Sequence, residues 1–101
     1  MSYLERQAHI AELLRKEHFL EWLALYQDQQ IVGASCEPSG CPIANYLLAH
    51  GYRERQVNSE MITANLTIIQ TPQWAAQFIE AVDEAAPQIT KARALELLAM
   101  G

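Results

Sequence analysis

The chain contains two cysteines, Cys36 and Cys41, five positions apart, and these are its most reactive side chains. Pro42 suits the first position of a helix, because its missing N–H would have no partner there, so Cys41 is the expected N-cap. Free N–H groups and the helix dipole lower the pKa of a thiol at that place. Cys41 is therefore a candidate nucleophile or redox thiol with Cys36 as resolving partner, and the ordinary alternative is a buried cysteine that packs as a small apolar residue.

A disulfide or a metal site at these cysteines has weaker support. A bridge between Cys36 and Cys41 is geometrically possible, but thioredoxin-type chemistry uses the tighter C-x-x-C spacing. Cysteines of a cytoplasmic chain are usually reduced. A structural zinc ion needs four ligands, and Cys36, Cys41 and His50 supply three at irregular spacing. We therefore expect no metal and no cofactor.

The other polar side chains do not form a catalytic pattern. His9 and His18 lie half a turn out of phase on a straight helix, so they cannot converge on one ligand. Glu80, Asp83 and Glu84 share a helical ridge, which is typical of a solvated face, although Asp83 could make a local polar contact. The chain has no nucleotide-binding, zinc-protease or hydrolase motif. We assign no catalytic residue and expect a protein that is not an enzyme.

Charge and hydropathy restrict the partners and the compartment. The formal net charge is −5, and residues 56–90 contain no lysine or arginine. Such a surface repels phosphate groups, so neither a nucleic acid nor an anionic membrane is an expected partner. The N-terminus lacks the apolar core of a signal peptide, and no apolar run approaches a membrane span. These features predict a cytoplasmic protein.

Apolar spacing identifies the residues of a core or a subunit interface. Ser2 and Glu5 form a capping box that starts a helix at about Tyr3. One helix from there to Gln29 would be roughly 40 Å long, more than the width of a domain of this size. We favour a break near residues 16–18, and an overhang that packs on a second subunit is the alternative. The predicted core or interface positions are Phe19, Trp22, Leu23, Tyr26, Trp74 and Phe78.

The remaining segments predict short strands and further helices. Residues 31–33 favour a strand, and a helix runs from Pro42 to about His50. Alternation over 61–69 places Ile62, Ala64, Leu66 and Ile68 on one face, as one long strand or as two with a turn at 64–65. Val57 starts a shorter partner strand. Thr71 as N-cap and Pro72 as first residue begin another helix, which Pro87 ends, and Thr90 caps the last one.

These signals predict a single domain, residues 1–101, of the α+β class. It would be mainly α, with three to four helices and a small antiparallel β-hairpin. No repeat, linker or low-complexity tract divides the chain.

Three segments resemble a group of small uncharacterised bacterial proteins. The segments are 41–47, 71–83 and 90–98. Similar proteins read C-P-(L/I)-A-x-(Y/F)-L and P-x-W-x-x-x-F-(I/V), and they close with T-x-x-x-A-L-x-x-L. The resemblance covers about residues 41 to 98 and consists mostly of helix caps and apolar stripes. It implies a fold but no activity, so it assigns no functional residue.

Two functions from different classes follow as expectations. The first is a small non-enzymatic domain that works by protein contact, as a homodimer, because the chain is rich in apolar residues and lacks a catalytic constellation. The alternative is a thiol-based redox or regulatory protein that uses Cys41 with Cys36. A small-molecule pocket between the hairpin and the Trp74 helix is a third possibility.

Overall fold

A computed structural model describes residues 2–85 and 87–100, and its fold is α+β as expected. These residues form five helices, one or two more than predicted, and two small antiparallel sheets instead of one hairpin. The helices are α1 (Tyr3–Leu13), α2 (Lys16–Leu23), α3 (Pro42–Ala49), α4 (Gln73–Asp83) and α5 (Lys91–Met100). The strands are β1 (Ile31–Ala34), β2 (Arg55–Val57), β3 (Met61–Ala64), β4 (Thr67–Gln70) and β5 (Gln88–Thr90).

The N-terminal helical region consists of two helices. The capping box at Ser2 and Glu5 is present and starts α1. Arg15 has extended backbone angles, φ −70° and ψ 135°, and is the N-cap of α2. The predicted break near residues 16–18 is thus confirmed, one residue earlier than expected. No overhang remains that would need a second subunit.

The break changes which face of α1 is buried. A continuous helix would have placed Leu4, Ala8 and Ala11 in line with Phe19. In the structure these three residues are exposed, whereas Ile10 of α1 is fully buried. The change of direction after α1 removes the common register on which the projection depended.

The three-stranded sheet, in the order β2-β3-β4, decides between one long strand and two. A two-residue turn joins β3 to β4, and both residues, Asn65 and Leu66, have positive φ, 46° and 68°. Positive φ at both positions is characteristic of a type I′ turn. Residues opposite each other in an antiparallel pair share a face, so Thr67 lies inward opposite Ala64. Leu66 and Ile68 are therefore exposed, contrary to the predicted alternation.

The two-stranded sheet was not predicted as a sheet. The expected strand at 31–33 is present as β1, but its antiparallel partner is β5, far along the chain. Ile31 lies opposite Thr90, and Ala34 lies opposite Gln88. Ser35 N–H extends the pairing by donating to the carbonyl of Pro87.

Two of the three remaining predicted N-caps, Cys41 and Thr90, are where the sequence placed them. Cys41 is the N-cap of α3, Gly51 follows its end at φ 93°, and the Thr90 hydroxyl accepts the N–H of Arg93 at the start of α5. The prediction for α4 is wrong by one residue. Pro72, with ψ 150°, is its N-cap, whereas the hydroxyl of Thr71 donates to the carbonyl of Asn58.

The predicted core or interface residues lie in the core of the chain itself. Phe19, Trp22, Leu23 and Phe78 are buried. Tyr26 and Trp74 are half-buried and pack against the same cluster. Their apolar area is therefore covered largely by residues of their own chain.

Candidate functional site

Side chains of α2, α3 and α4 bond backbone carbonyls at the junction where α1 ends and α2 begins. The phenol of Tyr46 donates to the carbonyl of Leu13 at 2.6 Å, and the indole N–H of Trp74 donates to the carbonyl of Leu14 at 2.8 Å. Nδ1 of His18 lies 2.8 Å from the carbonyl of Glu12. The last carbonyls of a helix have no partner within the helix. The donors of Tyr46 and Trp74 satisfy the carbonyls of Leu13 and Leu14, and His18 adds a second bond to the Glu12 carbonyl, which also accepts the N–H of Arg15. These bonds explain how α1 can end inside the fold.

Phe19 lies at the centre of the aromatic residues behind this junction. Its ring centroid is 5.7 Å from that of Trp22, 5.4 Å from Tyr46, 5.6 Å from Trp74 and 5.5 Å from Phe78. Aromatic pairs at such separations add to the stabilisation from buried area. The polar tips of Tyr46 and Trp74 point to α1, so these rings orient the helix junction as well as filling the core.

A cavity of about 440 Å³ opens beside this junction, between α2 and α3, and is called the junction cavity below. Leu13 and Trp22 contribute to its wall. The polar side chains that border it are His18, Glu21, Tyr46 and His50. Burial and, to a lesser extent, the charge of Glu21 raise the pKa of Tyr46 to about 12. The phenol is therefore protonated across the physiological range.

Sequence reasoning did not bring the two histidines of this cavity together. It compared His18 with His9, whereas His9 bonds the hydroxyl of Tyr52 at 2.6 Å. The spacing of each histidine from an aromatic residue could have predicted that both line the same cavity wall as those rings. His18 precedes Trp22 by four residues and His50 follows Tyr46 by four, so each imidazole shares a helix face with an aromatic ring of the cavity.

Cys41 caps α3 and is buried, as the ordinary alternative for this residue predicted. Its sulfur accepts the N–H of Ala44 at 3.4 Å, and the residue is only 5% exposed. Burial raises the pKa of the Cys41 thiol, because the loss of solvation outweighs the N–H groups of Ala44 and Ile43. The expected fall in its pKa is therefore wrong.

Cys36 lies in a different environment from Cys41, although both are free thiols. Cys36 is exposed and has a φ of 56°. Its N–H donates to a carboxylate oxygen of Asp83 at 2.9 Å, which confirms the local polar contact expected for Asp83, while Glu80 and Glu84 are exposed. The two cysteines border one cavity of about 180 Å³ between the end of β2 and α4, the thiol cavity.

Two further properties concern the described residues alone. Among residues 2–85 and 87–100, no three histidine, cysteine or acidic side chains are close enough together to hold a metal ion. In the same ranges, no helix has the length and apolarity that crossing a bilayer would require.

The five strand residues on the outer face of the three-stranded sheet are uncharged, while Arg53, Glu54 and Arg55 border the face beside Gln56 and Thr63. These five residues, called the sheet face below, are Gln56, Met61, Thr63, Ile68 and Gln70. Met61 and Ile68 are each 46% exposed.

The outer edge of β4 is closed by α1. The N–H of Ile68 donates to the phenol oxygen of Tyr3 at 3.1 Å, and its carbonyl accepts from the amide of Gln7 at 2.8 Å. A strand of another molecule could not pair there without displacing these side chains.

Comparison with known proteins finds no matching family, no matching curated protein and no matching solved structure. The resemblance to small bacterial proteins therefore stays a prediction.

Proposed function

We propose that this chain is a small non-enzymatic domain that works by protein contact, and that it pairs with a second copy of itself through the sheet face. The observation that carries the proposal is the lack of charge on that face, together with two half-exposed apolar side chains, Met61 and Ile68. Apolar surface surrounded by uncharged polar residues is typical of contact surfaces between proteins.

The uncharged side chains of the sheet face allow a second copy to be its occupant despite the net charge of the chain. Two molecules with a net charge of −5 repel each other, and the repulsion is strongest where carboxylates would face each other. The glutamines, the threonine and the apolar side chains of the sheet face avoid this cost. Since α1 covers the edge at Ile68, we propose contact between two sheet faces and not a sheet that continues across the dimer.

Sedimentation velocity tests this proposal with a pair of matched variants. Ile68→Glu places two carboxylates at the centre of the proposed contact, and Leu95→Glu makes the same change at an exposed position of α5. We expect the native chain and Leu95→Glu to be dimers at tens of micromolar, and Ile68→Glu to be a monomer with an unchanged circular dichroism spectrum. A native chain that stays monomeric, or a dimer that persists in Ile68→Glu, would refute pairing through this face.

A thiol-based redox or regulatory function is the second candidate, supported by the common cavity of Cys36 and Cys41. The exposed Cys36 is the better first reactant, since burial raises the pKa of Cys41. Iodoacetamide labelling between pH 6 and 10 tests the idea, read by mass spectrometry at each cysteine. Fast labelling of Cys36 near neutral pH, with Cys41 reacting only after unfolding, would support Cys36 as the reactive thiol and Cys41 as its partner. An apparent pKa at or above the ordinary value of about 8.5 for both thiols would leave the candidate without support.

A cytoplasmic location is a further part of the proposal. Two free thiols and a net negative chain support it, since free thiols persist in a reducing compartment. Cell fractionation would test it, and recovery of the protein outside the cytoplasmic fraction would contradict it.

A further inference from the structure

We infer that the junction cavity binds an organic ammonium ion, a cation that carries N–H donors on a small apolar or aromatic body. The cavity lies between α2 and α3, and its volume of about 440 Å³ falls in the range of small-molecule sites. Every polar side chain that borders it can offer the ligand a hydrogen-bond acceptor. This uniformity, and not the size of the cavity, determines the class of ligand.

The two histidines offer acceptors because their other nitrogens are engaged. Nδ1 of His18 lies 2.8 Å from the carbonyl of Glu12, and Nδ1 of His50 lies 3.0 Å from the carbonyl of Tyr46. A carbonyl only accepts, so each Nδ1 must carry the proton. In the neutral imidazole Nε2 is then an acceptor, and neither Nε2 has a hydrogen-bond partner among the described residues.

Tyr46 and Glu21 complete the set of acceptors. The hydroxyl proton of Tyr46 is committed to the carbonyl of Leu13 at 2.6 Å, so only lone pairs of the phenol oxygen remain for a ligand. The carboxylate of Glu21 is exposed and supplies the negative charge. Both groups border the cavity, and the charge of Glu21 adds to the effect of burial in raising the pKa of Tyr46.

The walls of the cavity suit the apolar part of such a cation. Trp22 and Tyr46, whose ring centroids are 5.6 Å apart, line the cavity but are only 7% and 1% exposed, so they give it an apolar wall with a small aromatic surface. Aromatic faces attract ammonium groups. The neighbouring basic residues at the start of α2 are occupied elsewhere. Arg15 pairs with Glu17 at 2.7 Å, and Lys16 donates to the carbonyl of Leu98. No lysine or arginine borders the cavity to compete with the ligand.

This inference is independent of the proposed dimer. The junction cavity and the sheet face share no residue, so a chain that proves monomeric could still bind the ammonium ion.

Titration of the ¹⁵N-labelled full chain with two matched probes tests the inference. The probes are 2-phenylethylammonium and 3-phenylpropionate, which share a phenyl ring but carry opposite charges, added at pH 8 so that free imidazoles are largely neutral. We expect saturable amide shifts for the amine, concentrated in α2 and α3, with a Kd of about 0.1–10 mM as for small ligands. Equal binding of the carboxylate, shifts located elsewhere, or no saturation with the amine would overturn the inference.

Variants then separate the contribution of the Glu21 charge to amine binding from that of the shape of the cavity. Glu21→Gln keeps the shape and removes the charge, and we expect about twofold to fivefold weaker amine binding. Glu80→Gln makes the same change at an exposed position of α4 and should leave the Kd unchanged. His50→Phe keeps a ring beside Tyr46 but lacks Nε2, and it should also weaken binding. Native-like amide spectra establish that the variants are folded, and an unchanged Kd in Glu21→Gln would contradict the proposed role of the carboxylate.

Discussion

The helix junction and the cysteine loop, residues 35–41, differ in how their backbone groups find hydrogen-bond partners. In both places the chain changes direction and leaves backbone groups that need partners. At the junction, the carbonyls of Leu13 and Leu14 accept from the side chains of Tyr46 and Trp74. In the cysteine loop, bonds between backbone groups stand beside side-chain bonds, such as those of Asp83 to the N–H of Cys36 and of Asn45 to the carbonyl of Gly40. Gly40 N–H and Cys41 N–H both donate to the carbonyl of Glu37, at 3.0 and 2.9 Å.

This difference in hydrogen-bond partners determines which substitutions destabilise each region and whether the region can bind a ligand. The junction depends on large side chains from distant elements, so it should be sensitive to loss of side-chain atoms. At the end of the loop, the backbone of Cys41 and Pro42 lies close to Gly33 of β1, so this contact should be sensitive to added atoms. The junction also gathers polar groups beside open space, whereas the loop encloses the Cys41 sulfur. We therefore expect ligand binding at the junction and structural roles in the loop.

Truncation of Trp74 should have the largest effect on the junction. Trp74→Ala removes a ring packed against Phe19 and the donor to the Leu14 carbonyl, at an expected cost of about 3–5 kcal/mol in the free energy of unfolding. Urea denaturation measures it. Trp74→Phe, which keeps a ring but lacks the N–H, should cost about 1–2 kcal/mol. An unchanged midpoint in Trp74→Ala would mean that the ring does not contribute to the core.

Addition of one methyl group at Gly33 should test the close contact between β1 and the end of the cysteine loop. In Gly33→Ala the new Cβ would lie 2.4 Å from the nitrogen of Pro42 and 2.7 Å from the carbonyl carbon of Cys41. Backbone cannot yield as a flexible side chain can, so we expect a loss of about 2–3 kcal/mol. Gly40→Ala is the control, since its Cβ would meet only the Cβ of Glu37 at 3.4 Å. Equal thermal midpoints of the two variants would show that β1 and α3 are not in close contact.

Removal of the Tyr46 hydroxyl should isolate one capping bond of the junction. Tyr46→Phe leaves the carbonyl of Leu13 without this donor, at an expected cost of about 2 kcal/mol at neutral pH. The pKa of Tyr46 is raised to about 12 in the folded chain, against about 10 when unfolded. Its contribution to stability is therefore complete below about pH 10 and is lost as the pH rises toward 12.

The comparison of native chain and Tyr46→Phe in urea at neutral pH and near pH 11 measures this dependence. The difference in stability between the two should shrink at the higher pH. A difference that stays constant would show that Tyr46 ionises as readily in the folded chain as in the unfolded one.

Exchange of sulfur for oxygen at Cys41 should have a smaller effect. Serine is a better N-cap, but its hydroxyl would replace a sulfur in a buried position. The free energy lost by burying the hydroxyl exceeds the stabilisation from the better cap, so we expect Cys41→Ser to lower the free energy of unfolding by about 1 kcal/mol. Cys36→Ser, at an exposed position, should be neutral in the same thermal unfolding assay. A gain in stability for Cys41→Ser would show that capping dominates over burial.

Relief of backbone strain at Cys36 should give the smallest effect, and in the stabilising direction. Its φ of 56° lies in the left-handed region, which only glycine adopts without cost. Cys36→Gly should therefore be more stable than Cys36→Ala by about 0.5–1 kcal/mol, since both lack the thiol and only alanine keeps a Cβ. If chemical denaturation found Cys36→Ala more stable than Cys36→Gly, the backbone at residue 36 would not be strained.

Local signals in the sequence were most reliable where one short segment decides the outcome. The capping box at Ser2, the cap at Cys41 with Pro42, and Thr90 before α5 depend on contacts three residues apart, and all are present. Thr71 shows the limit of such signals. Its hydroxyl bonds the carbonyl of Asn58, a partner that the order of residues around α4 does not indicate.

Chemistry at the two candidate sites was less predictable than secondary structure. The position of Cys41 was inferred correctly, but the direction of its pKa depends on burial, which is produced by the surrounding elements. His18 and His50 belong to helices that are separated by β1 and the cysteine loop. Their common cavity arises only when α2 packs on α3.

Residue order alone determined the class of the fold, most helix ends and the apolar residues that form the core, because caps, turns and periodicity act over a few positions. Packing between distant segments decided the rest: the pairing of β1 with β5, the end of α1 against Tyr46 and Trp74, and the inward turn of Thr67. These outcomes depend on which surfaces meet, and a backbone group accepts whichever donor the completed fold brings to it.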